Sequence, residues 1–265
     1  MENESTIDRI LRRGAAAPRN EFDGDQLDLE ARDSLRRVAG LSTELQDITD
    51  VEYRKLRLEK VVLIGVWGSG TLTDAEKREF AGHMLAEMAR MSTEDGLVMT
   101  IHAGVVRNHS TATFNEFGPD TGQDIPVAAE FTNNLRPMLE AYGLHPNLTA
   151  ILFSLDETTW SREVAPLAGF YPSVRIGAPW WFLDAPDSAA RFREATTEIA
   201  GFYRGSGFID DTRAFLSIPA RHDMARRVDC AFLARLVAEG RLTLEQARKV
   251  AVDLVVSIPR KAFKL

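Results

Sequence analysis

Residues 149–177 read TAILFSLDETTWSREVAPLAGFYPSVRIG. A short apolar run over 149–154 suits a strand, residues 162–169 suit a short helix, and residues 174–177 suit a second strand. A strand, a helical crossover and a strand predict a parallel pair. Reading toward the N-terminus, Phe131, Leu135, Met138 and Tyr142 recur at helical spacing, with Pro126 near the start of that helix and Gly143 at its end. A strand over 97–102 precedes it. Before that, Phe80, Met84, Met88 and Met91 mark another helical face, opened by a capping-box pattern at Thr73 and Glu76. Reading toward the C-terminus, a helix carries Phe192, Ala195, Ile199 and Phe202, and a strand spans 208–211. Helices over about 223–239 and 244–256 finish the chain, the last opened by Thr243 and Gln246 in a second capping box.

Four strands separated by helices predict an α/β fold, a parallel sheet built of about four βα units. That is half of an eight-stranded (β/α)8, TIM-type barrel; pattern alone leaves a small open α/β sheet as the alternative. Half a barrel would expose two strand edges and an apolar inner face. The strand at 61–67, a second copy of the chain as in a homo-oligomer, or another chain would have to cover them.

The 265 residues are 45% hydrophobic, enough for a sizeable core, with a formal net charge of −7. An acidic chain with no basic stripe is not expected to bind DNA or another polyanion. No apolar stretch is long enough to span a bilayer, so no membrane partner is expected. Cys230 stands alone and makes no internal disulfide, which fits a reducing, cytoplasmic setting. Patterning divides the chain near residue 70. Residues 1–70 form an N-terminal segment that reads as partly disordered, with a loop over 13–29 and a short α/β portion, and residues 71–265 carry the βα alternation.

In parallel α/β folds the chemistry collects after the C-terminal ends of the strands. Here those positions hold His102, Arg107, Asn108 and His109; the turn Gly118–Gly122 (GPDTG); Trp180 and Trp181; and Asp210, Asp211 and Arg213, followed by Arg221, His222 and Asp223. Each has a structural reading too. Asp210 and Asp211 suit turn caps, His102 a hydrogen-bonded structural histidine, the tryptophans a core, and Arg221 to Asp223 the solvated start of a helix. The GPDTG turn lacks the Lys-Ser/Thr ending of a phosphate loop.

The runs DGLVMTIHAGVVRNHS (95–110), GPDTG (118–122), GAPWWF (177–182) and DDTRAFLS (210–217) followed by ARHD (220–223) resemble the C-terminal half of uronate isomerases, metal-linked barrels of the amidohydrolase superfamily. The resemblance covers about residues 73–265. It implies aldose–ketose isomerisation of D-glucuronate to D-fructuronate, or of D-galacturonate to D-tagaturonate. It gives Asp211 proton handling at the metal site, Arg213 the substrate carboxylate, His102 a hydrogen bond to a substrate oxygen, and Trp180 and Trp181 the wall of the sugar pocket. Arg107 is a further substrate-binding candidate. The implied cofactor is a divalent metal such as zinc, with Asp211 as ligand. The family's His-x-His pair is not made by His83, His102, His109, His145 or His222, so weak binding or loss of the metal is expected. The N-terminal half-barrel is not in the resemblance, so a missing half-barrel partner is expected. Residues 27–67 instead resemble the N-terminal region of HflX-type GTPases, which implies at most a remnant of a ribosome-contacting domain and leaves a non-catalytic chimeric or ribosome-interacting protein as the alternative to an isomerase. No GxxxxGK[ST] loop supports nucleotide hydrolysis.

Overall fold

The structure, a computed structural model, describes residues 74–210 and 215–265. The expectations for residues 1–73, and those for Asp211 and Arg213, lie outside the described residues. The chain divides into two compact units, Met1–Leu85 and Ala86–Leu265.

The described residues begin with helix α1 (Asp74–Asp95), which leads into strand β1 (Val98–Ala103). A two-residue strand β2 (Val105–Val106), helix α2 (Thr111–Phe117) and strand β3 (Ile125–Pro126) follow. Helix α3 (Arg136–Tyr142) then leads to strand β4 (Thr149–Ser154). Next come a π-helical turn at Trp160–Val164, helix α4 (Ala165–Phe170) and strand β5 (Val174–Ile176). After a 3-10 turn at Trp181–Leu183, helices α5 (Pro186–Ala200), α6 (Ile218–Ala238), α7 (Leu244–Val255) and α8 (Ser257–Phe263) complete the molecule.

β1, β4 and β5 form one parallel sheet in sequence order, with His102 opposite Phe153 and Leu152 opposite Ile176. β4 is buried along nearly its whole length, as a central parallel strand with both faces covered must be. Alternation then puts Ile151 and Phe153 on one face, where they pack with Leu155, Trp180 and Ala262.

The expected fourth strand over 208–211 is not formed by residues 208–210. The chain meets β5 earlier, at a single parallel bridge between Ile176 and Gly205, with Ser206 N donating to Ile176 O at 2.9 Å. Gly207 ends that pairing. Its φ of 79° turns the chain out of the extended region, and a Cβ there would lie 2.5 Å from Pro259 Cγ. Among the described residues the parallel strands therefore number three rather than four, joined by an antiparallel ribbon of β2 and β3 that was not expected.

Several helices also depart from the reading. α3 starts only at Arg136 because the Glu130 carboxylate accepts from Asn133 N, Asn133 Nδ2 and Asn134 N, which holds the preceding residues in a turn. Pro126 belongs to β3 rather than to a helix start. α5 buries Ser188, Phe192, Arg193 and Thr196 and leaves Ile199 exposed. α6 begins at Ile218, with Pro219 in its first turn.

α8 closes the end of the sheet where the strands begin. Lys264 Nζ donates to Asn147 O at 2.9 Å and to Gly96 O, just ahead of β4 and β1. The opposite end, where the strands finish, is where the candidate residues gather.

Candidate active site

His102 is the last residue but one of β1, on the same face as its register partner Phe153. The two rings stack at 4.4 Å with 2° between their planes. That stacking depends on Gly177, because a Cβ there would meet the Phe153 ring at 2.5 Å and Leu152 O at 2.7 Å. His102 also meets Trp180 edge to face, with centroids 4.6 Å apart. Trp180 is buried in the sheet's core cluster, so it serves packing as well as lining the histidine.

Trp181 lies 5.6 Å from Trp180 and adopts a left-handed φ of 51°. The Arg107 guanidinium sits 4.7 Å over the Trp181 ring. It is held there by Asp124, whose Oδ2 accepts from Arg107 Nη1 at 3.0 Å while Oδ1 accepts from Asn108 N at 2.8 Å. Asp120 lies 3.8 Å from the same Arg107 nitrogen. Asn108 and Asp120 are, like Trp181, in the left-handed region. Three such non-glycine backbones around one guanidinium indicate strain held by the surrounding contacts, a pattern that clusters at binding sites.

His102, Trp180, Trp181 and Arg107 thus form one continuous chain of contacts at the end of the sheet. Asp211 and Arg213 lie outside the described residues, but the residue before them is described. Asp210 is 2% exposed at its side chain. Its Oδ1 accepts from Arg221 Nε, while Oδ2 is buried with no hydrogen-bond partner among the described residues. Arg221 Nη2 donates to Asp184, which follows the tryptophan turn. Burial works against the Arg221 charge, but its bonds to Asp184 and Asp210 more than offset this and raise its pKa above the ordinary arginine value. Arg221 is therefore not the solvated helix residue expected from sequence. The ring of His222 meets Phe208 edge to face at 5.0 Å, and Asp223 pairs with Arg227 at 2.6 Å.

Sequence reasoning missed Asp124, Asp184 and Phe153. Asp124 and Asp184 sit in loops without periodicity. Phe153 read only as one more apolar strand residue. Asp184 alone had a usable signal, as an acid directly after an aromatic run.

Among the described residues no three His, Cys, Asp or Glu side chains come together to hold a metal ion. Among the described residues Asp210 offers one oxygen without a partner, but its other oxygen is bonded to a guanidinium whose charge opposes a cation. The described residues do not by themselves fit a divalent metal. No helix among them is long and apolar enough to cross a membrane.

The sheet order and the polar rim at the strand ends define a chain of the α/β class, with the fold of solved uronate isomerases. The structure of glucuronate isomerase from Caulobacter crescentus superposes with a TM-score of 0.73 at 52% identity, covering 82% of this chain and 44% of that one. Uronate isomerase from Thermotoga maritima gives 0.72 at 26% identity, covering 79% and 46%. The glucuronate isomerase family profile matches residues 39–261, and the chain belongs to that family. Uronate isomerase from Brucella canis is 56% identical over 198 residues, which are 75% of this chain and 42% of that protein. The Caulobacter vibrioides uronate isomerase is 52% identical over 219 residues, 83% and 44% respectively. The chain spans less than half the length of these relatives. The family match begins inside the stretch 27–67, and none of the relatives named here is an HflX-type GTPase.

Proposed function

We propose that this chain supplies one half of a uronate isomerase site, which interconverts D-glucuronate and D-fructuronate or D-galacturonate and D-tagaturonate. The observation that carries the reading is the unbroken contact chain from His102 through Trp180 and Trp181 to Arg107, in a member of the glucuronate isomerase family. Moving the carbonyl from C1 to C2 removes the C2 proton, passes through an enediol and returns a proton to C1, so the site needs a placed base and donors for the developing oxygen charge. Asp211 takes the role of base. Arg213 holds the substrate carboxylate, since a guanidinium fork matches it in two parallel bonds. His102 hydrogen-bonds a substrate oxygen, and Trp181 with Arg107 walls the sugar. In this reading the three parallel strands β1, β4 and β5 belong to a half-barrel, and a complementary half, supplied in trans or by a second copy, completes the pocket.

A coupled assay with glucuronate and galacturonate tests this, run with the chain alone and with a separately expressed N-terminal half of a close relative. Turnover is expected with the added half and is expected to fall by a factor of about 10² or more in Asp211→Asn, the scale of a lost general base. No turnover under either condition ends the reading.

A further inference from the structure

Arg221 stands in the first turn of α6, outside the contact chain of the site, yet its guanidinium forks between two loops that carry the site. Nη2 donates to Asp184, directly after the Trp181–Leu183 turn, and Nε donates to Asp210, one residue before Asp211. The fork is mostly shielded from water, and the Asp210 side chain is almost fully buried. We propose that Arg221 is a positioning residue: its guanidinium locks the exit of the tryptophan turn to Asp210 and so fixes where the chain enters the Asp211–Arg213 motif. This rests on the uronate reading only for what those two loops hold.

The physical argument is the state of Asp210 without its partner. Among the described residues Oδ2 already has no donor. Removing the guanidinium would leave a buried carboxylate both charged and unpaired, which the protein relieves by moving that carboxylate toward water. Residues 208–210 are held by side-chain contacts rather than by strand pairing, with Phe208 against His222 and Ile209 against the sheet's core cluster. They lie outside the sheet ladder, beyond the bridge at Gly205 and the turn at Gly207. Asp184 would be released at the same moment, so the loss of one side chain loosens two loops at once. The α6 helix carrying Arg221 is anchored independently by buried Phe232, Leu233 and Leu236 and by the Arg193–Asp229 pair, so the disturbance stays local.

Two measurements on the full chain test the lock, hydrogen–deuterium exchange and tryptophan fluorescence titrated with D-glucuronate, in the wild type, Arg221→Gln and the milder Asp184→Asn. For Arg221→Gln, exchange should rise about ten-fold in residues 180–184 and 206–210 while β1 and β4 stay as protected as before. Glucuronate affinity should fall about ten-fold, the scale of one charge-assisted hydrogen bond. Asp184→Asn should loosen residues 180–184 and leave 206–210 nearly unchanged. Unchanged exchange in both segments overturns the proposal. So does a rise spread over the whole sheet, or a local rise with no loss of affinity. A wild-type chain that fails to bind glucuronate even with the complementary half added instead overturns the uronate reading, and the exchange comparison alone then decides whether the lock exists.

Discussion

Glu163 has its carboxylate buried after β4, yet Phe131 N donates to it at 2.6 Å, Thr132 N at 3.0 Å and Arg162 Nη2 at 2.6 Å. Burial pushes its pKa up, and these donors, Arg162 first, more than reverse that, so the group sits below the ordinary glutamate value of 4.5. A depressed carboxylate stabilises the fold fully above its unfolded pKa and loses that contribution as pH falls through the folded value. Glu163→Gln should therefore cost about 1–3 kcal/mol at neutral pH. Its deficit against the wild type should shrink as urea melts are repeated from pH 7 down through pH 4. A deficit independent of pH would mean that shape rather than charge matters there. At this scale the sequence exposed the residue types that gather at strand ends: His102, the tryptophan pair and Arg107 do meet. It could not expose what fixes them, because Asp124 reaches Arg107 across 17 positions and Asp184 reaches Arg221 across 37, and no spacing rule covers such bonds.

The cap of α7 is where a local rule and the folded chain coincide. Thr243 Oγ1 accepts from Gln246 N at 3.1 Å, and Gln246 Oε1 accepts from Thr243 N at 2.9 Å. Because both partners lie within one turn, the box was readable from four letters. Thr243→Ala should lower stability by about 1 kcal/mol, seen as a lower denaturation midpoint with an unchanged urea m-value. A larger contrast is expected at the pair joining α5 to α6. Arg193 donates to both oxygens of Asp229 at 2.6 and 2.9 Å, and both side chains are nearly buried. Arg193→Met leaves an unpaired buried carboxylate and should cost about 3–5 kcal/mol, partly recovered when Asp229→Leu is added. The misread elements were those decided by more than the apolar period. Glu130 delays α3 through bonds three and four residues along the chain, Gly207 turns the chain away from β5 ahead of the run read as a fourth strand, and Ile199 points to solvent while Arg193, a charged residue, takes a buried place on α5.

For the molecule from Ala86 onward, two apolar clusters have to act as one core. One lies against the sheet, with Ile151, Phe153, Leu155, Trp180 and Ala262. The other lies between helices, with Leu233, Ala247, Val250, Leu254 and Ile258. α8 places a buried residue in each, Ala262 in the first and Ile258 in the second, and the Val256 backbone at its start marks the sharp break from α7. The parallel βα class was legible because period and strand length are local. This coupling was not, since residues 257–263 carry only a weak apolar pattern and their importance comes from what they touch. Ile258→Ala should cost about 2–5 kcal/mol as a buried large-to-small change. Ala262→Leu should cost about 1–3 kcal/mol by overpacking the cluster to which Trp180 also belongs. If α8 couples the clusters, near-ultraviolet dichroism from Trp180 and Trp181 and far-ultraviolet dichroism from the helices should melt together in the wild type. They should separate when α8 is weakened, with the tryptophan signal lost first in Ala262→Leu and the helical signal first in Ile258→Ala. Coincident melting in both variants would show that the clusters are joined by contacts other than α8.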